Sequence, residues 1–153
     1  MRVGGAYFMG RYRHEAKPIS AYGCMFRSRL ECRVASLFNT LEIAWKYEPK
    51  RFKIEKNLWY LPDFRCNYKG EVFWLEVKPK KPNKTEVKKV EGLARLSDHP
   101  VLLTINCPFW EKDFKALVYW TETEGGEVYR DSGKMMDFLR INQEEYNVAI
   151  NAA

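Results

Sequence analysis

The pattern of apolar and polar residues predicts a first helix over about residues 28 to 44. Its apolar positions recur at helical spacing and form one stripe: Leu30, Val34, Leu37, Phe38 and Leu41. Such a stripe is typical of a helix that packs one side against a core. Ser28, followed three residues later by Glu31, fits a capping box at the start of this helix. A capping role alone would therefore account for Glu31.

Three strands are predicted next, near residues 51 to 56, 59 to 67 and 71 to 78. Lys69-Gly70 suits a tight hairpin turn between the last two strands. A second helix is expected to Ser97, with Thr85 as its cap and Gly92 as an unfavourable residue in its middle. Residues 101 to 105 are an apolar run of the kind found in buried strands.

The pattern is weaker after residue 108. Residues 116 to 120 and 127 to 130 flank Gly125-Gly126 and predict a hairpin, and residues from about 134 to 149 predict a final helix. The order of elements predicts one α/β domain. We divide it into a basic N-terminal arm (1–21), a core (22–108) and a C-terminal extension that packs on the same domain (109–153).

Charge is distributed unevenly along the 153-residue chain, whose formal net charge is +6. Residues 1 to 33 contain seven Lys or Arg against two acids, residues 34 to 110 contain fourteen against nine, and residues 111 to 153 contain five against nine. A basic surface raises the local concentration of a polyanion. A merely basic protein would explain the net charge but not its segregation, so we expect a nucleic-acid partner.

Cysteine and apolar content bear on the compartment. Cys24, Cys32, Cys66 and Cys107 form no CxxC pair and have no histidine at finger spacing, so neither a zinc site nor a disulfide framework is predicted. We find no apolar run of membrane-spanning length and no signal peptide in the opening residues. We therefore expect an intracellular, cytoplasmic protein outside the membrane.

Two carboxylates and an amine lie on neighbouring predicted strands. If residues 69 and 70 form the whole turn, Asp63 lies opposite Glu76, on the same face as Lys78. Like charges across a ladder repel, so we expect Mg²⁺ or Mn²⁺ between the two acids. Alternatively, Asp63 caps a turn and the other two are exposed strand charges. The strongly apolar run over residues 73 to 77 weighs against that alternative.

These residues resemble a nuclease superfamily. Pro62-Asp63, then Glu76-Val77-Lys78, after a helix that carries Glu31, is similar to the signature of the PD-(D/E)xK nucleases, which are restriction-like metal-dependent phosphodiesterases. Residues 26 to 31, 47 to 49 and 60 to 63 also resemble phage junction-resolving endonucleases and the end-cleaving subunit of heteromeric transposases. The resemblance covers about residues 22 to 108. It implies a restriction-endonuclease-like αβββαβ core, with a central mixed sheet flanked by helices, to which the C-terminal hairpin and helix are added.

The resemblance also implies an activity and a set of roles. The chain would be a Mg²⁺- or Mn²⁺-dependent deoxyribonuclease that hydrolyses phosphodiester bonds. Asp63 and Glu76 would ligate the metal together with the backbone carbonyl of Val77. Glu31 would assist metal binding, and Lys78 would position the attacking water.

Eight basic residues are expected to contact the DNA backbone, although surface solvation would explain each of them alone. They are Arg11, Arg13, Arg27, Arg29, Lys80, Lys81, Lys84 and Lys88. Within the nuclease class we favour a phage-type, Holliday junction resolvase-like endonuclease that acts on branched DNA, for which a homodimer would be suitable. The alternatives are a transposase-like end-cleaving subunit, an exonuclease or, from another class, a non-catalytic DNA-binding module.

Overall fold

The structure, a computed structural model, describes residues 18–105, 115–141 and 144. Its elements are ten strands and three helices within these ranges. In chain order they are β1 (Ile19–Ala21), β2 (Cys24–Phe26), α1 (Arg29–Leu41), β3 (Ala44–Tyr47), β4 (Phe52–Glu55), β5 (Leu58–Tyr60), β6 (Phe64–Tyr68), β7 (Glu71–Lys78), α2 (Lys84–Ser97), β8 (Val101–Ile105), β9 (Lys115–Thr121), β10 (Val128–Lys134) and α3 (Met135–Leu139). The predicted α/β class is confirmed.

A six-stranded mixed sheet forms the centre of the fold, in the order β10-β9-β8-β7-β6-β3. β7 and β8 are parallel and are joined through α2, whereas the other neighbours are antiparallel. A parallel pair needs such a crossover connection, which helices usually supply. β1–β2 and β4–β5 form separate two-stranded hairpins.

Side chains of the sheet alternate between two apolar layers. On one face, Phe64 and Leu75 pack in a cluster with Phe38 of α1 and Met135 of α3. On the other face, residues such as Trp74 pack with α2 and the β4–β5 hairpin. A fully buried side chain of this size stabilises the fold by about 1.5–3 kcal/mol, so both layers hold the sheet in place.

Helix α1 ends three residues earlier than predicted. Ser28 is its N-cap, as the capping-box spacing suggested. At the other end Glu42 adopts a left-handed conformation (φ 60°), and the N–H of Ile43 donates to the carbonyl of Phe38 at 2.9 Å. This left-handed cap stops the helix, and the chain turns into the edge strand β3.

The predicted strands are partly corrected. β4, which matches the predicted strand over residues 51 to 56, pairs with β5 outside the central sheet, and β3 occupies the sheet position instead. The predicted strand over residues 59 to 67 is broken into β5 and β6 around Pro62, which has no backbone N–H for a ladder. The order helix, three sheet strands, helix, strand is retained as α1, β3, β6, β7, α2 and β8.

Helix α2 is confirmed, but its cap is Asn83 rather than Thr85. Asn83 and Glu86 form a reciprocal capping box. Gly92 lies where α2 packs closely against β4. A Cβ added at this position would collide with Cγ2 of Ile54. The mid-helix glycine is therefore explained by a close approach between two elements.

The C-terminal hairpin is confirmed and extends the central sheet through the pairing of β9 with β8. The final helix, predicted as continuous from about 134 to 149, is interrupted at residues 140 and 141. α3 ends at Leu139, Arg140 has a left-handed φ of 58°, and Ile141 is buried in the core. Residues 142–143 and 145–153 lie outside the described residues, as does most of the predicted N-terminal arm. The last residues of that arm form β1.

In the described ranges, no helix combines the length and apolar character needed to cross a bilayer. Cys24, Cys32 and Cys66 are free thiols. Cys107 lies outside the described residues.

Candidate active site

The β6–β7 hairpin brings Asp63 next to Glu76. Residues 69 and 70, the second of them glycine, have positive φ values of 53° and 82°. Two such residues form the type of turn that matches the twist of paired strands. The ladder then runs without a shift to Phe64 opposite Leu75. One step further along this register Asp63 is opposite Glu76, as the two-residue turn predicted.

Asp63 lies in a bend just before β6. Its side chain accepts a hydrogen bond from the backbone of β7, as a backbone carbonyl would in a regular ladder. Its Oδ2 accepts from the N–H of Val77 at 2.8 Å. Its own N–H donates to Oε1 of Glu76 at 3.3 Å, and its carbonyl accepts from the N–H of Glu48 at 2.8 Å. These three bonds fix the Asp63 carboxylate at the end of the sheet.

The orientation of Val77 follows from the same contact. In an antiparallel strand the N–H and C=O of one residue point to the same neighbour. The N–H of Val77 points to Asp63, so its carbonyl points to that side as well. The predicted carbonyl donor therefore lies on the same edge of β7 as the Asp63 carboxylate.

Both oxygens of Glu76 have defined partners. Oε1 accepts from the hydroxyl of Tyr60 at 2.7 Å, and Oε2 forms an ion pair with Nζ of Lys78 at 3.1 Å. Nζ of Lys78 is also 2.7 Å from Oε2 of Glu86 at the start of α2. The amine is therefore shared by two carboxylates.

Glu31 reaches the same site from α1. It is 6% exposed, and its carboxyl group lies close enough to that of Asp63 to raise the pKa of Asp63. Oγ of Ser28 accepts from the N–H of Glu31 at 3.1 Å and donates to its Oε1 at 3.1 Å. The helix cap and the contact with Asp63 coexist, because the cap holds Glu31 at the point where α1 meets β6.

Burial dominates the electrostatics of the site. It raises the pKa of Asp63 well above its usual range, the charges of Glu76 and Glu31 raise that pKa further, and the Val77 N–H opposes the shift. Burial also raises the pKa of Glu76, against the opposing effects of Lys78 and Tyr60. Both acids thus resist ionisation unless a further positive charge is present.

The amine responds in the opposite way. Burial lowers the pKa of Lys78, but its ion pairs with Glu76 and Glu86 outweigh burial and raise that pKa overall. Burial raises the pKa of Glu86, but its bond to Lys78 outweighs burial and lowers that pKa overall. Lys78 therefore stays charged at neutral pH and can act as a hydrogen-bond donor.

Metal binding at this site depends on how its carboxylates are arranged. Within the part of the chain that the structure describes, no three His, Cys, Asp or Glu side chains are arranged as a ready metal-binding group. The donor set of the site is nevertheless made of carboxylate and carbonyl oxygens, which hard cations such as Mg²⁺ and Mn²⁺ prefer. Asp63 and Glu76 are only 8% and 6% exposed, so a nearby positive charge would stabilise their ionised forms. In chemical type, the residues fit such an ion.

The predicted DNA contacts lie in different places. Lys80 and Lys81 are exposed in the loop that follows Lys78, and Lys84 is exposed at the start of α2. Lys88 is exposed on α2, and its Nζ is 3.2 Å from Oε1 of Glu55 in β4. Its spacing on α2 turns it towards the β4–β5 hairpin.

The remaining four predicted contacts lie near α1 or in the arm. Nε of Arg27 forms an ion pair with Oε2 of Glu48 at 2.8 Å, and Arg29 is exposed on the first turn of α1. Arg11 and Arg13 lie outside the described residues.

Tyr60 and Glu86 are the site residues that the sequence analysis missed. Alternation along β5 separates buried Tyr60 from exposed Trp59, and that period-two pattern was the available signal. For Glu86 the signal was Asn83, three residues before it, which is capping-box spacing. Comparison of the chain with known protein families, curated proteins and solved structures finds no match in any of the three.

Proposed function

We propose that the protein is a Mg²⁺- or Mn²⁺-dependent DNA endonuclease with a restriction-endonuclease-like core. One observation carries the proposal. Three buried acids, Glu31, Asp63 and Glu76, follow one another near the end of β7: Glu31 acts on Asp63, Asp63 bonds to Glu76, and Glu76 pairs with the amine of Lys78. Acids are seldom buried together unless a partner offsets their charge.

The order of elements supports the proposed core. α1, β3, β6, β7, α2 and β8 follow the αβββαβ sequence of the resembling nucleases, with the β4–β5 hairpin inserted between the first two sheet strands. In this arrangement the acids come from α1, from just before the second sheet strand and from near the end of the third. The proposed core thus accounts for why three distant segments share one site.

The roles of the chain's own residues follow from their contacts. Asp63, Glu76 and the carbonyl of Val77 would hold the cation, and Glu31 would assist through Asp63. When bound, the cation would lower the pKa of a water and polarise a phosphoryl oxygen. Lys78 keeps its proton, so it orients the water and stabilises phosphate charge by donating hydrogen bonds rather than by acting as a base.

The substrate proposal rests on charge and on resemblance. The exposed amines of Lys80, Lys81 and Lys84 follow directly after Lys78 and would meet the phosphate backbone as it enters the site. Residues 26 to 31 resemble junction-resolving enzymes, so we favour branched DNA, cut by a homodimer. The non-catalytic DNA-binding module is the alternative from another class.

The proposal is tested with a labelled four-way junction and a linear duplex, each incubated with Mg²⁺ or Mn²⁺. Wild type should cut the junction, and Asp63→Asn and Lys78→Met should each lower the rate by about 10²-fold or more. Asp98→Asn is the matched control, because Asp98 is an exposed acid at the end of α2, and it should cut at the wild-type rate. DNA binding without cutting in either metal would contradict a nuclease and favour the binding module.

A further inference from the structure

The β4–β5 hairpin is a small basic platform on the α2 face of the sheet. Residues 50 to 60 contain four Lys or Arg against one acid. That acid, Glu55, is already paired with Lys88 of α2. The exposed basic residues of this segment are Lys50, Arg51, Lys53 and Lys56. The outer surface of the hairpin is therefore positively charged.

An exposed aromatic ring lies in the middle of this surface. Trp59 is 53% exposed and is directly opposite Lys53 in the ladder. Nζ of Lys53 is 5.9 Å from the centroid of the Trp59 ring. A large ring held in water beside an ammonium group offers both a stacking face and a phosphate contact.

The hairpin is held firmly beneath that ring. Its inward side chains, including Phe52 and Ile54, pack on the second apolar layer. The ring of Phe52 meets that of Trp74 edge-on at 5.2 Å, and Gly92 lets Ile54 approach α2 closely. The backbone below Trp59 is therefore rigid, and a ligand that stacks on the ring would find it already in position.

The platform is also joined to the candidate active site. Trp59 is followed in β5 by Tyr60, whose hydroxyl bonds to Glu76. Trp59 and Tyr60 point to opposite sides of the hairpin, since successive side chains alternate. A strand stacked on Trp59 would therefore lie on the outer side of the hairpin, whose inner side supplies Tyr60 to the site.

We propose that the β4–β5 hairpin binds unpaired bases of a DNA strand, with Trp59 stacking on a base and Lys53 contacting the adjacent phosphate. This proposal rests on the DNA substrate proposed above and narrows it to DNA that exposes unpaired bases. Stacking on a tryptophan needs an open base face, which a fully paired duplex does not present along its length.

The test measures binding of a fluorescein-labelled oligothymidylate and of a blunt duplex by fluorescence anisotropy in EDTA. Chelation prevents metal-dependent cutting, so a failure here is distinct from a failure of the nuclease assay. Trp59→Ala should weaken oligothymidylate binding by about tenfold and leave duplex binding close to wild type. Trp59→Phe, which keeps a stacking ring, should retain most of the affinity.

The matched control is Tyr129→Ala. Tyr129 is also an exposed aromatic residue, but it lies in β10 opposite Trp120, on the other face of the sheet. This variant should bind as wild type does. Lys53→Ala should lower the slope of log affinity against log salt by about one.

Several results would overturn the proposal. Trp59→Ala could bind oligothymidylate as tightly as wild type, or could lose duplex binding to the same degree. An equal loss in Tyr129→Ala would also contradict it, as would competition by polyglutamate as strong as that by unlabelled oligothymidylate. Equal thermal midpoints of Trp59→Ala and wild type would establish that folding is intact.

Discussion

The hydroxyl of Tyr60 sets the orientation of a carboxylate that the proposed chemistry needs. Burial raises the pKa of Tyr60 well above its usual value, so the group keeps its proton and donates to Glu76. Lys78 holds the other carboxylate oxygen. With both oxygens held, Glu76 is oriented before any cation arrives.

Tyr60→Phe is expected to weaken metal binding while leaving the fold intact. Residues that orient metal ligands typically contribute 10- to 100-fold to metal affinity, so the Mg²⁺ concentration for half-maximal cutting should rise by about tenfold or more. A metal titration of junction cleavage measures this. The control is Tyr119→Phe, which changes a buried tyrosine of β9. An equal shift in both variants would contradict an orienting role for Tyr60.

At the residue scale, the sequence was sufficient to predict where the two acids lie, but not which side chains form hydrogen bonds with them. The two-residue turn at Lys69-Gly70 was sufficient to predict that Asp63 lies opposite Glu76. The hydroxyl of Tyr60 was not predicted to reach Glu76, because its position depends on how the chain bends around Pro62. The pairing of Lys88 with Glu55 was not predicted, since periodicity does not specify which neighbour a helix face meets.

At the scale of elements, the contact between α2 and β4 depends on the absence of a side chain at Gly92. Glycine in a helix costs about 1 kcal/mol relative to alanine. The cost is offset here by the close packing of Ile54, whose Cγ2 would collide with a Cβ at residue 92. Ile54 is stiff at χ1, as β-branched residues are, so it cannot simply turn away.

Gly92→Ala should therefore destabilise the protein by about 1–3 kcal/mol, despite its better helix propensity. Chemical denaturation of wild type and variant measures the difference. In an Ile54→Ala background the collision is gone, and the same Gly92→Ala change should stabilise by up to about 1 kcal/mol. Additive effects of the two changes would mean that the residues do not interact.

The elements that the sequence missed share a physical cause. β3 was not predicted, and only the left-handed turn at Glu42 separates it from α1. The predicted final helix ran through Arg140, which also has a left-handed φ. Backbone reversals by residues other than glycine leave little trace in the sequence.

At the scale of the whole molecule, the buried acids should control how stability depends on pH. The pKa values of Asp63 and Glu76 are raised in the folded state. As the pH rises, the unfolded chain therefore loses these protons first, near its ordinary carboxyl pKa of about 4. Their contribution to stability is full below about pH 4 and is lost as the pH rises through the raised folded values.

In EDTA, the free energy of unfolding should therefore fall more steeply between about pH 4 and neutrality in wild type than in Asp63→Asn, which cannot ionise at that position. Mg²⁺ should reverse the loss at neutral pH, by about 2.7 kcal/mol at a concentration 100 times its Kd. Denaturation curves across the pH range measure both effects. Identical pH slopes for the two proteins, or no response to Mg²⁺, would contradict the electrostatic account.

The two-residue turn between β6 and β7 also limits which insertions the protein tolerates. Twelve positions separate the two strand-borne acids, and strand side chains alternate with a period of two. A single-codon insertion in that interval would turn one acid to the opposite face unless a bulge absorbed it. An insertion in the loop over residues 122 to 127 would not turn a site residue to the opposite face. Length variation among natural relatives should therefore be frequent between β9 and β10 and rare between the acids.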